Sequence, residues 1–170
     1  MINASVLRLI FEKLNNYKDA SFFTPSFISM YICRETIRRV VIHQYNQIKG
    51  WNCQDIQQLY EKLENKKVAN NIINSLEICD PAVGTGYFLV SALNEIIVIG
   101  SELKILLYTK DKTLSNYQIE INNDELIICD HNMPPFEYQP KNPETQRIQK
   151  TLAYEKQTII ENCLFGVDIN

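Results

Sequence analysis

The residues best suited to chemistry are an acid and the glycine-rich turn that follows it. Residues 79–89 read Cys-Asp-Pro-Ala-Val-Gly-Thr-Gly-Tyr-Phe-Leu. The stretch before them, 76–79, is short and apolar-biased, and Pro81 cannot donate a hydrogen bond to a neighbouring strand. We therefore expect a strand that ends at the acid, Asp80, directly before the turn.

Two glycines in this turn and the helix after it would form a corner that can hold a ligand. Gly84 and Gly86 permit positive φ angles and lack the β-carbon that would keep a ligand away from the backbone. The stretch from Tyr87 to about Ile99 is dense in apolar residues, which predicts a buried helix. The free N–H groups of its first turn would face the ligand.

The charge of Asp80 selects the class of ligand. In a dinucleotide site the glycines surround a pyrophosphate, which a carboxylate a few Å away would repel by roughly 4 kcal/mol per charge pair. Leu89 also stands where G-x-G-x-x-G requires its third glycine, and no Gly-Lys-Ser/Thr follows to form a P-loop. S-adenosylmethionine instead carries an ammonium and a sulfonium beside a carboxylate, so Asp80 can bind its positive end and backbone N–H groups its negative end.

A second acid, Asp168, follows the short apolar stretch 164–167 and should end a later strand. A carboxylate at the C-terminal edge of a strand can accept hydrogen bonds from both ribose hydroxyls. The simplest pattern places this acid about 20 residues after the glycines, whereas Asp168 lies about 80 residues later. An insertion at 100–143 would explain the difference, and Asp130 within it is the rival ribose acid.

Three segments, in this order, resemble the adenine-specific DNA methyltransferases of bacterial restriction-modification systems. Ser21–Pro25 resembles the family's upstream motif, whose Thr and Pro pack on the methionine end of the cofactor. Asp80–Phe88 resembles its first core motif, and Leu164–Asn170 resembles its second, whose acid binds the ribose. The residues that this resemblance and the reasoning above assign to S-adenosylmethionine are Phe23, Thr24, Pro25, Asp80, Pro81, Ala82, Gly84, Thr85, Gly86 and Asp168.

The resemblance implies methyl transfer from S-adenosylmethionine to the exocyclic amino group of adenine in double-stranded DNA. The base would be extruded, and its amino group would attack the methyl directly. DNA contacts would lie downstream of this chain, and a specificity or nuclease domain could accompany them in a longer protein.

The family's catalytic motif, Asn/Asp-Pro-Pro-Tyr/Phe, should follow the ribose acid, and no such motif lies between Asp168 and residue 170. The near match Asn132–Phe136 has Met133 in place of the first proline and precedes Asp168. We expect no catalytic residue in this chain, which would be an inactive fragment of a larger enzyme. Methylation of a protein or small molecule, and a non-catalytic cofactor-binding or assembly module, remain alternatives.

The fold that must position these residues is predicted to be α/β. A helical region at 1–75 should carry the upstream motif, and 76–170 should be the start of a Rossmann-like methyltransferase sheet, incomplete in this chain. The insertion should contain a β-hairpin, with strands at 117–121 and 126–129. A crossover helix at 144–163 should then deliver the chain to a parallel strand.

Within the helical region we expect a helix at 4–16 and short helices at 53–64 and 66–75. Pro25 should lie in the first turn of another helix that runs to about Ile48, with Thr24 as its N-cap. Its buried face should contain Met30, Cys33, Ile37, Val40 and Val41. Its arginines, Arg34, Arg38 and Arg39, should form a solvated surface, although they could also contact phosphate.

Composition narrows the function classes. The 170 residues are 45% hydrophobic with a net charge of −3, which is not the charge of a self-sufficient DNA-binding domain. Five cysteines without paired spacing argue against disulfides and zinc, and fit the reducing cytoplasm. Cys79 and Cys129, each at the end of an apolar strand, should fill the core. No apolar run suits a membrane span.

Overall fold

The computed structural model describes residues 10, 13, 24–109, 112–114, 117–122, 125–130 and 139–168. The helices are α1 (Ser26–Lys49), α2 (Ile56–Lys62), α3 (Lys66–Ile73), α4 (Tyr87–Glu102) and α5 (Pro143–Cys163). The strands are β1 (Ile78–Asp80), β2 (Leu107–Thr109), β3 (Lys112–Thr113), β4 (Tyr117–Asn122), β5 (Glu125–Asp130) and β6 (Leu164–Gly166). Ile10 and Lys13 are helical, and the rest of the helix predicted at 4–16 lies outside the described residues.

Helix α1 begins one residue later than the sequence predicted. Pro25 has extended backbone angles, with φ −54° and ψ 142°, so it is the N-cap and Thr24 lies outside the helix. The carbonyl of Pro25 accepts hydrogen bonds from Ile28 N at 3.0 Å and Ser29 N at 3.2 Å. The predicted N-cap role of Thr24 is therefore wrong, because the backbone of the proline itself satisfies the first turn.

The buried face of α1 is a narrow stripe with a spacing of four residues. It consists of Ser29, Cys33, Ile37, Val41 and Tyr45. Val40, which we expected on this face, has 48% of its surface exposed, and Met30 is only half-buried. The prediction included too many apolar positions because α1 touches its neighbours along a single i, i+4 row.

Two short helices follow α1 where the sequence predicted them, and each has a side-chain cap. Asp55 Oδ1 accepts a hydrogen bond from Gln58 N at 2.8 Å at the start of α2. Asn65 Oδ1 accepts hydrogen bonds from Lys67 N and Val68 N, both at 3.1 Å, at the start of α3. These caps explain why the chain forms two helices here instead of one.

Strands β1 and β6 form a parallel pair, as the crossover prediction required. Ile78, Cys79 and Asp80 stand opposite Leu164, Phe165 and Gly166. The described residues contain three separate two-stranded sheets. The structure is thus a mixed arrangement of helices and small sheets, consistent with the α/β class.

The insertion contains more strands than the sequence predicted. Helix α4 extends to Glu102, so the insertion starts after the expected residue 100. The predicted hairpin is present as β4 and β5, with Ile119 opposite Ile128. An additional antiparallel pair, β2 and β3, was not foreseen, and the near match at 132–136 lies outside the described residues.

A buried carboxylate joins the insertion to two helices. Glu155 on α5 has only 2% of its surface exposed. Its Oε1 accepts a hydrogen bond from Leu107 N at 2.8 Å and one from Asn70 Nδ2 at 3.3 Å. Burial raises the pKa of Glu155, and these two hydrogen bonds partly oppose that rise. One side chain therefore connects α5, α3 and β2.

Two predicted core positions on the later elements are wrong. Cys79 is exposed and Cys129 only half-buried, whereas Cys33, Cys53 and Cys163 are the buried cysteines. Cys79 sits in a strand with a single hydrogen-bonded neighbour among the described strands, which leaves its side of the sheet open.

Candidate functional site

The ends of β1 and β6 are joined by backbone hydrogen bonds to the glycine loop 81–86. Val83 N donates to Val167 O at 3.0 Å, and Val167 N donates to Asp80 O at 2.9 Å. Asp80 Oδ1 accepts a hydrogen bond from Ala82 N at 3.1 Å, an Asx-type turn that starts the loop. Two strand ends and the loop therefore form one connected corner.

Both loop glycines adopt the backbone conformation that the sequence predicted. Gly84 has φ +47° and Gly86 has φ +74°. Gly86 N donates to Val83 O at 2.7 Å, and Gly86 is the N-cap of α4. The chain thus turns from strand to helix through two residues in the left-handed conformation. Residues other than glycine adopt this conformation only with strain.

The space beside these glycines is open. A β-carbon placed on Gly86 would meet no atom within 4 Å, and one on Gly84 would meet only Ala82 O, at 3.9 Å. Internal packing therefore does not require glycine at either position. What the missing side chains leave free is the outer surface of the loop, where a ligand could approach the backbone closely.

The candidate acids lie at the same edge of the β1–β6 pair. Asp80 ends β1 and is half-buried, while Asp168 is exposed and lies two residues beyond the end of β6. Because β1 and β6 are parallel, their C-terminal ends meet. Within the described part of the chain, the hydrogen bond from Ala82 N is the polar contact of the Asp80 carboxylate.

The other loop residues assigned to the site differ in exposure. Pro81, Ala82, Gly84 and Thr85 are exposed, and Gly86 is half-buried. The accessible surface of the corner is therefore mainly backbone and small side chains. This surface suits a ligand that is read by N–H groups and by the two acids at its edge.

The upstream motif directly precedes α1, the helix that lies beside this corner. Thr24 and Pro25 are exposed and precede α1, and Phe23 lies outside the described residues. Two turns into α1, Cys33 Sγ donates a hydrogen bond to Phe88 O at 3.6 Å, in the first turn of α4. Burial, Glu95 and Asp80 raise the pKa of Cys33 to about 11. The side of α1 that carries Cys33 therefore contacts the first turn of α4, directly after the glycine loop.

One polar cluster between α1 and α4 was not predicted. Arg38, expected in a solvated surface, binds two acids of α4: Glu95 through Nε at 2.6 Å and Glu102 through Nη2 at 2.7 Å. Arg34 and Arg39 are exposed, as expected. An isolated acid within the apolar run of α4, Glu95, was the available sequence signal, because a buried carboxylate needs a partner.

Comparison with known proteins gives one relative. A protein of Methanocaldococcus jannaschii, provisionally named a type II restriction enzyme and methyltransferase, is 33% identical over 126 residues. The match covers 62% of this chain and 11% of the relative, so the chain spans about a tenth of that protein's length. No protein-family model and no solved structure matches the chain.

None of the helices in the described ranges is both long enough and apolar enough to cross a bilayer. The described residues also contain no group of three or more His, Cys, Asp or Glu side chains placed to hold a metal ion.

Proposed function

We propose that this chain is the S-adenosylmethionine-binding part of an adenine-specific DNA methyltransferase in a restriction-modification system. The observation that carries the proposal is the corner at 80–86, where an acid ends a parallel strand before two glycines with positive φ. The similarity to a protein named as both a restriction enzyme and a methyltransferase supports methyltransferase activity in a restriction-modification system. Adenine specificity rests on the resemblance of the three sequence segments.

The residues present fit this cofactor. Asp80 would bind the cationic side of the methionine group. Ala82 N, Val83 N and Gly86 N already donate within the corner, so the N–H groups of Gly84 and Thr85 would bind the cofactor carboxylate. The open space beside Gly84 and Gly86 provides the close approach that this contact needs. Asp168, at the neighbouring strand end, would accept hydrogen bonds from the ribose hydroxyls.

The upstream motif would complete the methionine side of the site. Thr24, Pro25 and, by resemblance, Phe23 would cover the methionine end of the cofactor. In the described structure α1 runs beside the first turn of α4, through the contact between Cys33 and Phe88. Thr24 and Pro25 therefore directly precede a helix that adjoins the glycine corner.

The proposed substrate is adenine in double-stranded DNA, held by a region downstream of this chain. S-adenosylmethionine supplies an activated methyl group, which the adenine amino group would attack directly. A base inside a duplex is out of reach, so extrusion of the base would be required. The side chains of this chain would bind and orient the donor and take no part in proton transfer. A DNA substrate implies a cytoplasmic location.

One observation favours a second candidate, a module that binds the cofactor or a partner without catalysis. The parallel sheet of the described residues has only two strands, and Phe165 and Val167 on and after β6 are about half exposed. Small sheets of this kind need further strands or packing partners for stability. A module whose role is assembly would use this surface for another domain.

The proposal is tested by titrating ligands into the protein and following backbone amides by nuclear magnetic resonance, which detects weak binding. S-adenosylmethionine should shift the amide signals of Gly84 and Gly86 and of the first turn of α4. ATP and NAD⁺ should leave them unchanged, since Asp80 opposes phosphate at this corner. Shifts with ATP or NAD⁺ and none with S-adenosylmethionine would contradict the proposal.

A further inference from the structure

Arg38 joins α1 to two acids on α4 through all the nitrogens of its guanidinium. Nε donates to Glu95 Oε1 at 2.6 Å, Nη1 donates to Glu102 Oε2 at 2.9 Å, and Nη2 donates to Glu102 Oε1 at 2.7 Å. We call Arg38, Glu95 and Glu102 the Arg38 brace. Bidentate pairing of this kind fixes direction as well as distance.

The brace is partly removed from solvent. The Glu95 side chain is only 4% exposed and that of Arg38 is 21% exposed, whereas that of Glu102 is 38% exposed. An acid as buried as Glu95 needs a cation beside it. Because the cation comes from α1 and the acid from α4, this ion pair links the two helices.

The brace connects the two elements that carry the proposed cofactor residues. Helix α1 follows Thr24 and Pro25, and Arg38 lies about 18 Å along it from Ser26, at 1.5 Å per residue. Helix α4 follows the glycine loop, and Glu95 lies about 13 Å along it from Gly86. The Cys33 to Phe88 contact shows that the two helices run side by side between these points.

A single row of apolar contacts constrains the axial position of one helix on another less tightly than directional hydrogen bonds do. The α1 contacts are mainly the stripe Cys33, Ile37, Val41 and Tyr45, and burial of such surface is non-directional. Carboxylates at positions 95 and 102 occupy the same face of α4, two turns apart. One guanidinium held by both of them sets the axial register of α1 on α4.

We infer that Arg38 is a positioning residue that holds α1 in register on α4, so that Thr24 and Pro25 stand at the glycine loop. The inference rests on the proposed function, since it assigns the upstream loop and the glycine loop to one cofactor. Arg38 itself does not need to contact the cofactor.

The test uses Arg38→Gln, Arg38→Lys and the matched control Arg39→Gln in the full chain. Arg39 lies on the same helix and carries the same charge, but its side chain is 80% exposed, and among the described residues it pairs with Glu35 of its own helix. Hydrogen–deuterium exchange read by mass spectrometry reports the local opening of each segment.

Arg38→Gln should speed exchange at residues 26–33 and 84–92 by at least about fivefold, while α5 keeps its wild-type rate. Arg38→Lys should keep part of the wild-type protection at these residues. Arg39→Gln should keep all of it. A merely structural role would raise exchange in α5 as well. Equal protection at 26–33 and 84–92 in Arg38→Gln and Arg39→Gln would overturn the inference.

A cofactor measurement completes the test. The dissociation constant for S-adenosylmethionine should rise at least about tenfold in Arg38→Gln and stay unchanged in Arg39→Gln. Wild-type affinity in Arg38→Gln would also overturn the inference. If the wild-type protein does not bind S-adenosylmethionine, the proposed function fails, and the exchange pattern alone decides whether Arg38 holds the two loops in place.

Discussion

Gly166 and Val83 stand so close that a β-carbon on Gly166 would lie 2.8 Å from Val83 Cγ2. Gly166 is opposite Asp80 in the parallel pair, and Val83 belongs to the glycine loop. The loop can therefore fold back over the end of β6 only because position 166 has no side chain. This contact sets the distance between the loop and the segment that carries Asp168.

Gly166→Ala should lower the free energy of unfolding by about 1–3 kcal/mol, because the added methyl group overfills a packed contact. The neighbouring atoms are Val83 Cγ2 and Cβ and Leu89 Cδ1, at 2.8, 3.1 and 3.2 Å, and a valine has little rotamer freedom. Urea denaturation followed by circular dichroism measures the effect. A variant as stable as the wild type would show that the loop does not pack tightly against β6.

Gly84→Val should abolish binding of S-adenosylmethionine while lowering the free energy of unfolding by only about 1–2 kcal/mol, the cost of a left-handed residue with a β-carbon. The new side chain would meet little of the protein and would instead occupy the ligand's space.

Gly50→Val is the matched control for this variant. Gly50 also has positive φ, at +66°, and open space around it, but it ends α1, away from the corner. It should show the same loss of stability and unchanged cofactor affinity. Equal affinities for the wild type, Gly84→Val and Gly50→Val would remove the loop from the binding site.

The buried Glu155 predicts a pH-dependent stability. Burial raises its pKa in the folded state above the ordinary value, so the folded state binds more protons than the unfolded chain between these two values. Stability contributed by this group is therefore present at low pH and lost as pH rises through the folded-state pKa. Glu155→Gln should remove this dependence. The free energy of unfolding of Glu155→Gln, relative to that of the wild type, should therefore increase as pH rises.

Urea denaturation of Glu155→Gln and wild type between pH 4 and pH 8 measures this difference. Glutamine keeps an oxygen for Leu107 N and Asn70 Nδ2, whereas Glu155→Ala leaves both donors unpaired at roughly 1–3 kcal/mol each. Glu161→Gln, on the exposed side of α5, is the control and should show the wild-type pH profile. A Glu155→Gln profile parallel to the wild type would contradict the assignment.

The glycine corner could be predicted from the sequence because its determinants are local. An acid, a proline and two glycines within seven residues require a strand end and a turn, whatever packs around them. The short helices α2 and α3 were also predicted, and each begins at a side-chain cap that acts within three positions. The hairpin β4–β5 followed from alternation and a polar turn.

The features that the sequence did not reveal depend on distant partners. Arg38 and Glu95 are separated by 57 residues, so the apolar run around Glu95 indicates that this acid needs a partner but not which residue supplies it. Val40 and Cys79 have apolar character suited to a core, but the described elements do not cover them. The pairing of β2 with β3 contains too few residues to leave a periodic pattern.

In the proposed function, the carboxylate of Asp80 selects the cationic methyl donor. The most direct measurement is the dissociation constant for S-adenosylmethionine of Asp80→Ala and Asp80→Asn beside the control Glu77→Ala, an exposed acid three residues earlier. We predict a rise of at least about tenfold in both Asp80 variants and wild-type affinity in Glu77→Ala. Wild-type affinity in the Asp80 variants would contradict the assignment of Asp80 to the cofactor site.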